Sequence, residues 1–410
     1  MSSNLNCKFY KLKKKSQKYQ LHSLIIMLLT RQYLSKEGEE HIKTFKYQGD
    51  DPSYMYKYYN SPIAEFVLKH FIPRWLAPNV ITVIGFCFTL TIHFLFFYYT
   101  GGEMKADYYP PWLFIAAIVS LFLYTLFDNL DGKQARRTGT STVLGATMDH
   151  ALDCLNAGVI GITLISSINM QNTKGYYSMA ICGFMPFFTA AWEEYHVGGM
   201  FMPVINGPNE GVLAIQIFHF LSYLYGHQWW HVETFFGLQR AEFFILWSIF
   251  QAQLISVQNM IRVATLKSTM SIFKRFRQLT MLAFFILCLI LIQLCSPTDI
   301  AVRKGRWIIY FFLFGWAKCV TLIHVWYGAN QPLNLVRPSV VIPYAVFTAN
   351  SVLGYFLGAC PVDEDTLLYI GVVVMFLVYA HFAASIARHL ADILGVKIFS
   401  ITDTPKDKKN

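Results

Sequence analysis

The chain has 410 residues, of which 55% are apolar and 14% charged, with a formal net charge of +10. That balance excludes an ordinary soluble enzyme and describes an all-α polytopic membrane protein. The positive surplus suits anionic lipid headgroups and an anionic substrate; nucleic acid is set aside, because no soluble basic domain is present to hold it.

Residues 1–50 read as a basic cytosolic tail. Within it "LIIMLL" follows a lysine-rich stretch, but it is too short for a signal-peptide core and lacks a small-residue cleavage site, so it is expected to be retained. Residues 51–78 read as an interfacial amphipathic helix. Ile63, Phe66, Val67 and Phe71 fall on one helical face, and the neighbouring tyrosines and Trp75 suit the headgroup zone. "PRWLAPN" then turns the chain, leaving Asn79 at the mouth of the first span, where it could serve as an N-cap.

Apolar runs of roughly 18 to 24 residues mark bilayer-crossing helices. About ten are expected, centred near Phe88, Ala117, Gly158, Phe184, Gln216, Phe250, Leu287, Phe314, Val346 and Met375. The seventh, "LTMLAFFILCLILIQLC", is the clearest, and the fifth, "VLAIQIFHFLSYLYG", is short. Alternating loops place most lysines and arginines on the side shared by both termini, so both termini are expected to be cytosolic. The loop "RVATLKSTMSIFKRFRQ" is then a basic cytosolic anchor, and the closing "KDKKN" is spaced as in a retrieval signal for the endoplasmic reticulum. The eight cysteines are scattered singly without CxxC pairing, which favours packed, reduced thiols.

Against this background "FDNLDGKQARRTGTSTVLGATMDHALD" is conspicuous. Asp128 and Asp131 are three apart, and Asp149 and Asp153 four apart, so each pair shares one side of a helix. Asp128 closes the second span and Asp149 opens the third, so a hairpin brings the pairs together. Four carboxylates this close cannot all stay ionised at low dielectric without counter-charge. Two divalent cations, about 3.5–4 Å apart, would supply it, and all-oxygen ligands favour Mg²⁺ or Mn²⁺. Gly132 and Gly145 would let a ligand approach the backbone, Arg136 offers a fork for a pyrophosphate, and Ala135 keeps the wall thin. The bland alternatives are an ion pathway or structural pairing with basic residues. Glu193, Glu194 and His196 stand near the site, although paired glutamates at a membrane edge more often face headgroups. His324, deep in the eighth span, reads as an interhelical hydrogen-bonding residue.

The string Asp128-x2-Asp131-Gly132-x2-Ala135-Arg136-x8-Gly145-x3-Asp149-x3-Asp153 resembles, without gap or substitution, the signature of the CDP-alcohol phosphotransferases: eight fixed positions over 26 residues. "YKYYNSPI", "PRWLAPNVIT", "WEEYHVGGMFMPVINGPNEG" and "ARHLADILGVKIFSI" look like the eukaryotic choline/ethanolamine phosphotransferase branch. The resemblance implies transfer of phosphocholine or phosphoethanolamine from CDP-choline or CDP-ethanolamine to diacylglycerol, releasing CMP. It implies that the four aspartates hold two metals and that Arg136 contacts the nucleotide phosphates. It also implies that Asn79 contacts the CDP-alcohol, that His150 is the base, and that Glu210 raises its basicity. Asp153 is the competing base, and Glu210 could instead cap the fifth span. The implied division is 79–225 for the catalytic helices, 226–395 for the C-terminal helices and 396–410 for a cytosolic tail. A homodimer in the endoplasmic reticulum or Golgi membrane is the family habit. The runners-up are a CDP-diacylglycerol-dependent phosphatidyltransferase, whose relatives are usually shorter, and an ion-coupled transporter, for which no inverted repeat is visible.

Overall fold

The computed structural model describes residues 33–170, 183–234 and 237–401. Those residues are almost wholly helical, and the expected all-α polytopic class holds. The helices are α1 (Lys36–Thr44), α2 (Ser61–His70), α3 (Pro78–Tyr99), α4 (Pro111–Thr138), α5 (Val143–Ser167), α6 (Met185–Val197), α7 (Val212–Tyr225), α8 (Arg240–Thr265), α9 (Thr280–Cys295), α10 (Gly305–Gly328), α11 (Pro338–Leu357) and α12 (Glu364–Leu394). Short turns of helix, among them Ile272–Phe276 ahead of α9, fill several of the connections.

Among the described residues eight helices are long and apolar enough to cross a membrane. The two remaining spans of the expected ten correspond to α6 and α7. Helix α7 has 14 residues and runs on without a break from the π turn at Gly207–Gly211, so it falls below the length of the other eight on its own. Helix α6 has 13 described residues, and the stretch before Gly183 lies outside the described part, as do "LIIMLL" and "KDKKN".

The most enclosed element is α10, with 89% of its apolar window buried against 56% for the next, α5. Most of its residues are buried all round, the pattern of a central helix rather than a lipid-facing one. Gly158 lets α5 press closely on it: a Cβ there would lie 2.6 Å from Leu313. That approach sets the polar ends of the two helices side by side.

The N-terminal segment is a strap across one end of the bundle. Ser35 caps α1, and His41 hydrogen-bonds the carbonyl of Gly328 at 2.9 Å, docking α1 on the end of α10. Gly49–Asp50 then pairs in parallel with Met200–Phe201 as the two strands β1 and β2. This pairing follows Gly198, whose left-handed φ of +86° ends α6. The expected interfacial helix is α2, preceded by a π turn at Tyr56–Asn60. Its face is split. Ala64 is buried and packs with Val67 and Leu68 against Ile81 and Leu130, whereas Phe66 and Phe71 stay exposed. One side of α2 therefore rests on the bundle and the other is left open.

Candidate functional site

Helices α4 and α5 form the hairpin. The turn ends with Gly139 in the left-handed conformation, and Thr142 caps α5 by accepting from the Gly145 amide at 3.2 Å. One carboxylate oxygen each from Asp128, Asp149 and Asp153 lies within 4.8 Å of the others. Tyr124 donates to Asp153 at 2.9 Å, and Thr82 of α3 donates to Asp131 Oδ2 at 2.5 Å. Asp149 Oδ1 is buried with no hydrogen-bond partner among the described residues. None of the four aspartates forms a salt bridge with a lysine or arginine among the described residues. A donor set of clustered carboxylate oxygens with one buried lone pair unsatisfied fits hard divalent cations.

The other candidates line the same end. The guanidinium of Arg136 folds over Gly132, where a Cβ would meet it at 3.4 Å. Gly145 faces Asn79, whose Oδ1 would lie 3.6 Å from an added Cβ. Asn79 is not the N-cap of α3. That position is Ala77, and the Asn79 amide instead donates to the carbonyl of Ile398 at 2.7 Å, tying the first span to the C-terminal segment. Ala135 is half-buried and its carbonyl accepts from Thr140 in the turn.

His150 is buried one residue past Asp149. Its Nδ1 donates to the carbonyl of Ala146 at 2.7 Å, which fixes the tautomer and leaves Nε2 as the proton-accepting nitrogen. The structure does not bring Glu210 to this ring. Its Oε1 accepts from Ser53 at 2.7 Å and from the Met55 amide at 3.2 Å, and its Oε2 accepts from the Asn206 amide at 2.9 Å. Asn206 in turn accepts from Asn209, so Glu210 completes a reciprocal cap and holds the strap. Burial opposes its charge, but these donors outweigh it and hold the carboxyl below the ordinary glutamate range. Asp51, which accepts from Asn206 at 3.0 Å and Asn209 at 2.7 Å, is pushed the other way by burial.

The carboxylate beside His150 is Glu194, with His324 next to it. Successive residues on a helix point about 100° apart, and the neighbours of Glu194 diverge accordingly. Glu193 pairs with Arg262 at 2.9 Å and His196 with Gln278 at 2.7 Å, partners on other elements than the aspartate hairpin. The sequence signal for Glu194 was the "WEEYH" run, but which glutamate turns inward depends on the rotation of α6.

A family profile described as CDP-alcohol phosphatidyltransferase matches residues 75–192. Choline/ethanolaminephosphotransferase 2 of Arabidopsis thaliana is 30% identical over 408 residues, spanning 90% of this chain and 98% of the relative. Ethanolaminephosphotransferase 1 of Mus musculus is 27% identical over 406 residues, spanning 92% and 96%. Choline/ethanolaminephosphotransferase 1 of Saccharomyces cerevisiae is 32% identical over 197 residues, about half of each chain.

Proposed function

The chain belongs to the CDP-alcohol phosphotransferase family, and from that premise we propose that it moves phosphocholine or phosphoethanolamine from the CDP-alcohol to diacylglycerol. The products are phosphatidylcholine or phosphatidylethanolamine and CMP. One observation carries the reading: carboxylates from two adjoining membrane helices converge within 4.8 Å, with a buried histidine next in the chain.

Asp128, Asp131, Asp149 and Asp153 are the side chains to hold two Mg²⁺ or Mn²⁺ ions. Such ions supply charge neutralisation on the diphosphate and on the departing CMP. Arg136, beside Gly132, offers two N–H groups to phosphate oxygens. Asn79, Gly145 and Ala135 shape the wall against which the nucleotide lies. The hydroxyl of diacylglycerol is a poor nucleophile, and His150 Nε2 takes its proton as the new O–P bond forms and the bond to CMP breaks. Glu210 serves the same site by holding the strap, through Ser53 and Met55, against the 206–210 turn. The 79–225 unit is the catalytic part, with the 226–395 helices around it. Lysine and arginine placement supports cytosolic termini; the endoplasmic reticulum or Golgi membrane and a homodimer are what the family resemblance implies.

The test is donor competition with purified protein, diacylglycerol and Mg²⁺ or Mn²⁺. CMP release is expected with CDP-choline or CDP-ethanolamine. Release that requires CDP-diacylglycerol and ignores both amino-alcohol donors would overturn the choice of substrate.

A further inference from the structure

Glu194 is a buried carboxylate for which the reaction above gives no role. It is 1% exposed, and its Oε2 lies 2.8 Å from Nδ1 of His324, itself 5% exposed. The His324 ring lies against the ring of His150, with centroids 3.9 Å apart at an interplanar angle of 42°. One nitrogen of each histidine and one oxygen of Glu194 all lie within 4.8 Å of one another. The ring of Tyr47, from the strap, stands 5.8 Å from that of His150, and its hydroxyl is a second neighbour of the Glu194 carboxylate. His324 Nε2 has no hydrogen-bond partner among the described residues, and the polar contact on that ring is the close approach of its Nδ1 to the Glu194 carboxylate.

We propose that Glu194 and His324 are positioning residues for His150. They fix its ring, and the Glu194 carboxylate offsets the positive charge that forms when His150 takes the proton of the acceptor hydroxyl. The inference rests on His150 being the base. Three helices supply the group, two consecutive and one distant in the chain: α5 gives His150, α6 gives Glu194 and α10 gives His324. Burying a carboxylate costs several kcal/mol, and an apolar pair of similar shape would join α6 to α10 at lower cost. The arrangement becomes economical if a cation appears beside the carboxylate during turnover, at low dielectric, where such a fixed charge acts most strongly. The Ala146 carbonyl already holds Nδ1 of His150, so the pair acts on the ring's placement and charge rather than on its tautomer.

Glu194→Gln keeps the volume and removes the charge. It should lower kcat by about 10²–10³-fold, the range for losing one preorganised electrostatic group, with KM for CDP-choline within about threefold. Glu194→Asp should recover part of the loss, and His324→Gln should cost about tenfold by displacing the ring. In the His150→Ala background Glu194→Gln should cost nothing further, because it acts through the missing ring. Turnover of Glu194→Gln within threefold of the parent, or a loss that simply adds to that of His150→Ala, would overturn the inference. If Glu194→Gln does not yield a protein that CDP-choline stabilises against heat, His324→Gln decides on the same terms. Full turnover by His150→Ala would instead sink the base assignment itself, which separates the two failures.

Discussion

Two buried acidic regions of this protein are built in opposite ways. At the start of α12, Glu364 is 1% exposed and fully served: Ser296 and Thr298 donate to Oε2 at 2.7 and 2.5 Å, and Ser351 donates to Oε1 at 2.6 Å. It also sits on a helix N-terminus, where the backbone dipole favours a negative charge. In the α4–α5 hairpin the ratio is reversed. Three carboxylates share 4.8 Å, Tyr124 donates to one of them, and Asp149 Oδ1 has no partner among the described residues. A carboxylate that brings its own donors is finished structure. A cluster that lacks them is electrostatically incomplete until something cationic arrives, and this distinguishes a binding site from a polar joint.

The comparison can be broken by substitutions on each side. The largest effect is expected from Asp131→Ala, which should reduce CMP release by at least about 10³-fold, since the metal interactions it removes are worth several kcal/mol. Excess Mg²⁺ should not restore it; rescue by metal would show that Asp131 only tunes affinity. Next, Tyr124→Phe removes the hydroxyl on Asp153 and should raise the metal concentration for half-maximal activity by about tenfold, as loss of a ligand-orienting hydrogen bond does. An unchanged metal titration would detach Tyr124 from the site. On the other side, Glu364→Ala strands three hydroxyls and should cost about 2–4 kcal/mol of stability, read as a lower Tm with specific activity kept. Equal loss of activity would erase the contrast.

The smallest effect concerns pH. Glu210 is held below its ordinary range, so its contribution to stability is complete above the unfolded value and is lost as pH falls through the folded one. Hydrogen exchange at the Met55 and Asn206 amides, corrected for intrinsic rate, should therefore stay slow at neutral pH and quicken only below about pH 4. Protection unchanged in acid would separate Glu210 from the strap.

What was legible in the sequence follows from how local the signal was. The aspartate pairs lie at helical spacing on either side of one tight turn, so 26 contiguous residues specify their convergence. Eight spans announced themselves by composition, and α6 and α7 are the two shorter helices among the ten expected. The strap and the Glu194–His324 pair were not legible. Tyr47, His150, Glu194 and His324 meet only through the packing of the strap with α5, α6 and α10, and "WEEYH" alone does not say which acid turns inward. Asn79 shows the same limit: its position suggested a cap, but its partner, Ile398, lies 319 residues away. The stripe read on α2 divides in the structure: Val67 packs on protein with Leu68 and Phe66 stays outside, and that division depends on where α4 lies.

The most direct measurement uses Mn²⁺ as both ligand and probe, by pulsed electron paramagnetic resonance on the purified protein with CDP-choline. Two bound ions per chain are expected, magnetically coupled to each other and to the ³¹P nuclei of the donor, with both signals lost in Asp149→Ala. Mn²⁺ that binds without phosphorus coupling, or that survives the loss of Asp149, would contradict a diphosphate held on metals by the hairpin.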